Sequence, residues 1–183
     1  MRIGEVLALS KKDIDLEHKL INVSRTLTTD ENFNVIVGKK TKTYSGKRQV
    51  PILDVLIPVL DKLLASKNKD YLFLLPNGKF IVNGTINTHF KNICTDAEIR
   101  LEEHTRTWRH EPHQVMISNV NTHMLRHTFA TRCIEAHMDA VTLSRILGHR
   151  DIQTTLNTYT SVFNKLKVDE MQKAQDYMQS LNI

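Results

Sequence analysis

The apolar residues change their spacing at Asp54, and the change divides a strand-forming stretch from a helix-forming one. Before it, Lys19 to Thr26 alternates at period two and reads as a strand. Residues 34–38 read as a second strand and 49–52 as a third, with Pro51 suited to a strand end. The polar stretch from Lys39 to Lys47, punctuated by Ser45-Gly46, reads as the turn before the third. After the change, Val55, Leu56, Val59, Leu60, Leu63 and Leu64 fall on one helical stripe, with Asp54 as its cap. Asn83 reads as the cap of a helix carrying Ile86, Phe90, Ile93, Cys94 and Ala97. Further helices are expected from about Thr122 to Ala136, from Asp139 to Gly148, and from Asp151 onward. The chain therefore reads as α+β, mainly α-helical, with a small three-stranded antiparallel sheet near the N-terminus.

Three stretches fit less simply. Residues 71–75 are too short for a helix and read as a buried extended segment. Residues 98–120 crowd charged residues and histidines with few apolar ones, and read as a surface loop. The tail 164–183 carries Leu166, Met171, Ala174, Tyr177, Met178 and Leu181 at helical spacing. That stripe either covers its own core or packs on a neighbouring protomer.

A length of 183 residues fits one domain with a sizeable core. Net charge of +5 favours a polyanionic partner, while 6% aromatic residues leave little surface for stacking on bases. Cys94 and Cys133 belong to no metal-spaced pair and read as reduced core residues of a cytoplasmic protein. The sequence shows no membrane span and no signal peptide. It opens directly in an amphipathic helix, with Ile3, Val6 and Leu7 on one side, which reads as an N-terminally truncated start.

The chemistry-bearing residues gather late. His123 and Arg126 stand three apart and share a helix face, and His127 lies about 100° further round. Gly148 supplies a left-handed helix end, after which His149 emerges before the Asp151 cap. Tyr159 falls two turns into the next helix. Arginine and histidine can hold phosphate oxygens, histidine can move protons, and tyrosine can be a nucleophile. His110 and His113 are three apart, but no complete zinc ligand set is evident around them, and no P-loop is present.

These strings resemble the catalytic domain of the tyrosine recombinase family, the phage-integrase-type site-specific recombinases. The resemblance rests on His-x-x-Arg-His-Thr-Phe-Ala-Thr at 123–131, Leu-Gly-His at 147–149 and Thr-x-x-x-Tyr at 155–159. It extends to Arg2-x-x-Glu5-x-x-x-Leu9 at the start, and to Lys42-Thr43-x-Ser45-x-x-Arg48-x-Val50-Pro51 between two strands. It covers nearly the whole chain.

The resemblance implies the family's fold and a metal- and ATP-independent cut-and-rejoin reaction on double-stranded DNA attachment sites. The reaction would pass through a 3′-phosphotyrosine, with no cofactor. Arg2 and Arg126 would clamp the non-bridging oxygens of the scissile phosphate. Lys42 would protonate the departing 5′-oxygen, chosen over Lys39, Lys40 and Lys47 by register with Thr43 and Pro51. His123 would be the general acid or base, His149 would hydrogen-bond the phosphate, and Tyr159 would attack. Glu5 would orient Arg2. Lys39, Lys40, Lys47 and Arg48 would touch the DNA backbone. The family also implies a separate N-terminal DNA-gripping domain, a homo-oligomer (a tetramer) on DNA, a monomer in free solution, and a bacterial or phage origin. Two other readings share most of these residues: a type IB topoisomerase-like enzyme that relaxes DNA, and a truncated, non-catalytic DNA-binding remnant.

Overall fold

The structure, a computed structural model, describes residues 1–32, 34–38, 47–66, 70–108 and 111–181. The elements run in chain order α1 (Ile3–Leu7), β1 (Ile14–Asp15), β2 (Leu20–Val23), β3 (Thr26–Thr29), β4 (Val35–Gly38), β5 (Arg48–Pro51), α2 (Ile57–Leu64), α3 (Asn83–Asp96), β6 (Leu101–Trp108), β7 (Glu111–Ser118), α4 (Thr122–Glu135), α5 (Ala140–Leu147), α6 (Ile152–Thr158) and α7 (Thr160–Ser180). The fold class is the expected one, and the sheet is three-stranded and antiparallel, in the order β1-β2-β5. Its membership differs from the sequence reading. The expected first strand breaks after Val23, because Arg25 turns inward to bond Asp13 and the Ser10 hydroxyl. The remainder, β3, pairs with β4 in a separate hairpin.

Two apolar clusters hold the chain together. One packs Leu9, Ile21, Val23, Ile52, Leu60 and Leu72 between the sheet and α2. The other packs Ala130, Ile134, Leu143, Leu147 and the ring of Tyr159 among α4, α5 and the α6–α7 junction. The second cluster is set by well-formed helix ends. Asn121 accepts from the His123 and Met124 amides, Asp139 from Thr142 at 2.8 Å, and Asp151 from Gln153 at 2.9 Å. Gly148 ends α5 at φ 70°, the left-handed conformation that a side chain disfavours.

Several expected details differ. Asp54 does not cap its helix with its side chain; it accepts from Lys19 Nζ at 2.6 Å. Asn83 is the first helical residue, preceded by Val82. Residues 98–120 are not an irregular loop. They form the long β6–β7 hairpin, with Leu101 opposite Ser118 and Trp108 opposite Glu111. Its strand alternation is visible in β7, where Val115 and Ile117 are half-buried and Gln114 and Met116 exposed, but β6 spells it in charged residues. Ser118 roots the hairpin by donating to the Ile99 carbonyl, while its amide donates to Thr95 Oγ1 at 2.9 Å.

Helix α4 buries Arg126, Ala130 and Ile134, one face at i, i+4 and i+8. Leu125 and Phe129 are exposed beside Ile3, Val6, Ile86 and Phe90. The tail is helix α7. Its first turns fold back on the second cluster through Val162, Phe163 and Leu166, while Met171, Tyr177 and Met178 stay exposed. No helix among the described residues is long and apolar enough to cross a membrane.

The sheet and the helical half are tied by a buried ion pair. Arg48, on β5, donates from both terminal nitrogens to the Glu5 carboxylate at 2.7 and 3.0 Å. Its Nε donates to the Ile146 carbonyl near the end of α5 at 2.8 Å. Both side chains are nearly solvent-free, at 7% and 4% exposure. Burial pushes the Glu5 carboxyl up, but the hydrogen bonds from Arg48 and Arg2 outweigh it and hold it below the usual range. Removing one partner strands the other charge, so Arg48→Met should cost about 3–5 kcal/mol in urea unfolding. Adding Glu5→Gln should recover a large part of that loss, because the carboxylate left unpaired is then gone.

Candidate active site

Helix α1 begins at Arg2, and its side chain reaches across to the end of α5. Arg2 Nη1 lies 3.4 Å from the Gly148 carbonyl and 3.4 Å from Glu5 Oε1, half exposed to solvent. The Glu5 carboxylate also accepts from the Arg2 backbone N–H at 2.7 Å, while its shorter side-chain bonds come from Arg48. Arg48 lies directly beneath the Gly148 turn, where a Cβ would come within 2.6 Å of its guanidinium. This corrects the expectation that Arg48 contacts a DNA backbone, because its donors are buried and already engaged.

Arg126 is buried in the middle of this group. Its Nη2 donates to the Leu147 carbonyl at 2.7 Å and lies 3.1 Å from His149 Nε2. Its Nη1 is buried without a hydrogen-bond partner among the described residues. Burial and the nearby Arg2 charge lower its pKa to about 10, so it stays charged at neutral pH. A buried, charged donor with no partner is costly in an empty site. It suits a site that receives an anion oxygen.

His149 leaves the Gly148 turn with Nδ1 2.7 Å from Thr155 Oγ1. Arginine cannot accept, so Nε2 accepts from Arg126 and Nδ1 carries the proton given to Thr155. Burial first, and then the charges of Arg126 and Arg2, lower its pKa to about 4. At rest His149 is a neutral acceptor.

Tyr159 sits at the α6–α7 junction, at φ −115° and ψ 21°, rather than inside one continuous helix. The break turns its ring back toward α4, where it is 4% exposed. Its hydroxyl lies 3.1 Å from His127 Nδ1. His123 is exposed, stands edge-on to His127 with ring centroids 4.5 Å apart, and has its pKa lowered by burial and the adjacent His127. Five of the six expected catalytic residues, Arg2, His123, Arg126, His149 and Tyr159, are therefore brought to one place. The sixth, Lys42, lies outside the described residues, as do Lys39, Lys40 and His110. Lys47 is exposed and lines a groove of about 600 Å³ with Gln49, Arg145 and His149, continuous with the site. The sequence reading left the His127–Tyr159 contact unseen, although His127 stands within the quoted motif. Among the described residues, no group of three His, Cys, Asp or Glu side chains is placed to hold a metal ion.

A cluster of guanidinium groups thus stands beside a buried tyrosine. The Phage integrase family model matches residues 1–165, and the chain belongs to that family. It is 28% identical to the integrase of Staphylococcus phage L54a, over 96% of this chain and 48% of that protein. It is 26% identical to the transposase of transposon Tn916 from Enterococcus faecalis, over 94% of this chain and 42% of that one. The chain thus spans about half the length of these relatives. Among solved structures, it superposes on the XerA recombinase with TM-score 0.61 and 26% identity, over 92% of this chain and 51% of that one. It superposes on the Tn1549 transposon integrase in complex with transposon right end DNA with TM-score 0.68 and 25% identity, over 91% and 54%.

The state of His149 has a thermodynamic consequence. The unfolded chain takes this proton near pH 6.5, whereas the folded chain refuses it down to about 4. The stability that neutral His149 contributes is complete above pH 6.5 and is lost as pH falls toward 4. The Tm of the wild type should drop across that window by roughly 2–4 °C more than that of His149→Gln, measured by calorimetry.

Proposed function

We propose that the chain is the catalytic domain of a site-specific DNA recombinase, an integrase-type strand transferase. The observation that carries this reading is the unpartnered Nη1 of buried Arg126, set among Arg2, His149 and the Tyr159 ring. Arg2 and Arg126 hold the two non-bridging oxygens of the scissile phosphate, and bidentate guanidinium suits that geometry. Tyr159 attacks phosphorus and forms a 3′-phosphotyrosine. Lys42 protonates the 5′-oxygen as it leaves. His123 moves protons at the exposed rim, and His149 bonds the phosphate as charge builds on it. The covalent ester keeps the free energy of the phosphodiester, so rejoining needs no ATP.

The partner is double-stranded DNA. Net charge of +5 and the groove holding Lys47 and Arg145 support backbone contact there. Relatives about twice as long support reading residues 1–183 as a catalytic domain that works beside a separate DNA-gripping region. The exposed apolar residues in the second half of α7, Met171, Tyr177 and Met178, support packing against a neighbouring protomer in a tetramer on DNA. A cytoplasmic setting, where DNA is found, follows from the same reading.

The test is covalent capture. The protein encoded by the gene is incubated with nicked duplexes of randomised sequence, and protein–DNA adducts that survive denaturation are collected and sequenced. Wild type should yield an enriched sequence and Tyr159→Phe no adduct. Arg126→Lys should slow adduct formation about 10²-fold or more, because the fork geometry is lost. Adducts that persist in Tyr159→Phe, or relaxation of plasmids at arbitrary sequence, would overturn the proposal.

A further inference from the structure

His127 is the one motif histidine to which the mechanism above assigns no task, and its ring nitrogen meets the nucleophile. Its Nδ1 lies 3.1 Å from the Tyr159 hydroxyl, with ring centroids 5.8 Å apart and planes tilted by 58°. Burial pushes the Tyr159 phenol up, and the Arg126 charge only partly opposes that. The nucleophile is therefore a protonated phenol at neutral pH and must lose its proton to attack. Among the described residues, His123, the histidine that the resemblance makes the acid or base, has no hydrogen bond to it. His123 stands one turn before His127 on α4 and sets the plane of the His127 ring by its edge-on contact. Arg126 and His149 make no use of His127 either, being bonded to each other and to Leu147 and Thr155.

The geometry points to His127 as the general base for Tyr159, resting on the recombinase reading above. In the resting site, the His127 ring proton is on Nε2 and Nδ1 accepts the phenolic O–H. During cleavage, the O–H bond of Tyr159 breaks and an N–H bond forms on Nδ1. The phenolic oxygen bonds phosphorus, the bond from phosphorus to the 5′-oxygen breaks, and that oxygen takes a proton from the general acid on the leaving side, Lys42. Rejoining runs these steps backward, with the His127 imidazolium returning its proton to the departing Tyr159 oxygen. The titratable and charged groups facing His127 are His123 and Arg126 on its own helix, Tyr159 from the α6–α7 junction, and His149 from the α5–α6 turn.

Two variants separate a base from a mere support. Gln in place of His127 still offers an acceptor to the phenol but cannot carry its proton, and His127→Ala removes both. The probes are the nicked duplexes captured by the wild type, made with the ordinary phosphodiester or with sulfur replacing the 5′-bridging oxygen, a leaving group that needs no proton. Single-turnover adduct formation by His127→Gln should fall about 10²-fold or more. Its rate should climb log-linearly with pH where the wild type levels off, and sulfur should not rescue it. A pH profile of wild-type shape in His127→Gln would overturn the proposal, since the residue would then only hold the ring. Rescue by sulfur would also overturn it, because His127 would then act on the leaving side. Should both variants fail to fold, nitrogen-15 NMR decides on the intact site. The His127 Nδ1 resonance should shift between wild type and Tyr159→Phe, and an unchanged resonance removes the hydrogen bond and the proposal with it. Absence of any wild-type adduct sinks the recombinase reading itself, and this assignment falls with it.

Discussion

Among the described residues, the Glu5 carboxylate is the one negative charge in a cluster of guanidinium groups, and the rest of the site depends on where it sits. It takes two bonds from Arg48 on the sheet and lies within 3.4 Å of Arg2 at the head of α1. Arg48 in turn grips the Ile146 carbonyl under the turn at Gly148. One buried carboxylate therefore fixes the start of the chain, strand β5 and the end of α5 in a single frame. A buried pair of this kind adds little net stability over apolar packing. What it supplies here is register: the carbonyls of Leu147 and Gly148 are held where Arg126 and Arg2 need them.

Around that frame, charge is arranged as though an anion were missing. Arg2, Arg48 and Arg126 each depress the pKa of His149, and Arg126 pulls on the Tyr159 phenol. A single carboxylate offsets three guanidinium groups, and the buried Nη1 of Arg126 stays unbonded. The folded chain carries this repulsion because the two apolar clusters on either side are complete. A phosphate placed there would relieve it without any change in the protein's packing, which is the meaning of electrostatic preorganisation.

Much of this was legible in the sequence, for specific reasons. Asp139, Gly148 and Asp151 punctuate helices through local hydrogen bonds that depend on a few neighbouring residues, so their roles could be read directly. The described site residues were legible because they stand at the fixed spacings of the quoted motifs, at α1, on α4 and at the ends of α5 and α6. The β6–β7 hairpin was not, because its strands are held by cross-strand backbone bonds and β6 has few apolar residues to mark its period. Nor was the fate of Arg48, whose partners at Glu5 and Ile146 are far away in sequence. A basic residue in a lysine-rich turn reads as a DNA contact until the fold shows it facing inward.

The contact between His127 and Tyr159 was illegible for a subtler reason. A helical wheel places His127 about 100° from Arg126, off the face assigned to chemistry. It becomes chemical because the chain does not continue as one helix through Tyr159. The break between α6 and α7 lets Tyr159 serve two ends at once: its ring closes the apolar cluster with Leu143 and Leu147, and its hydroxyl crosses to the next position round α4. Arg126 and His127 then leave adjacent sides of one helix, the first toward Leu147 and His149 and the second toward Tyr159. Two successive residues on a rigid helix cannot drift relative to each other. The spacing between the Arg126 guanidinium and the His127 ring is thus set by the backbone rather than by side-chain packing.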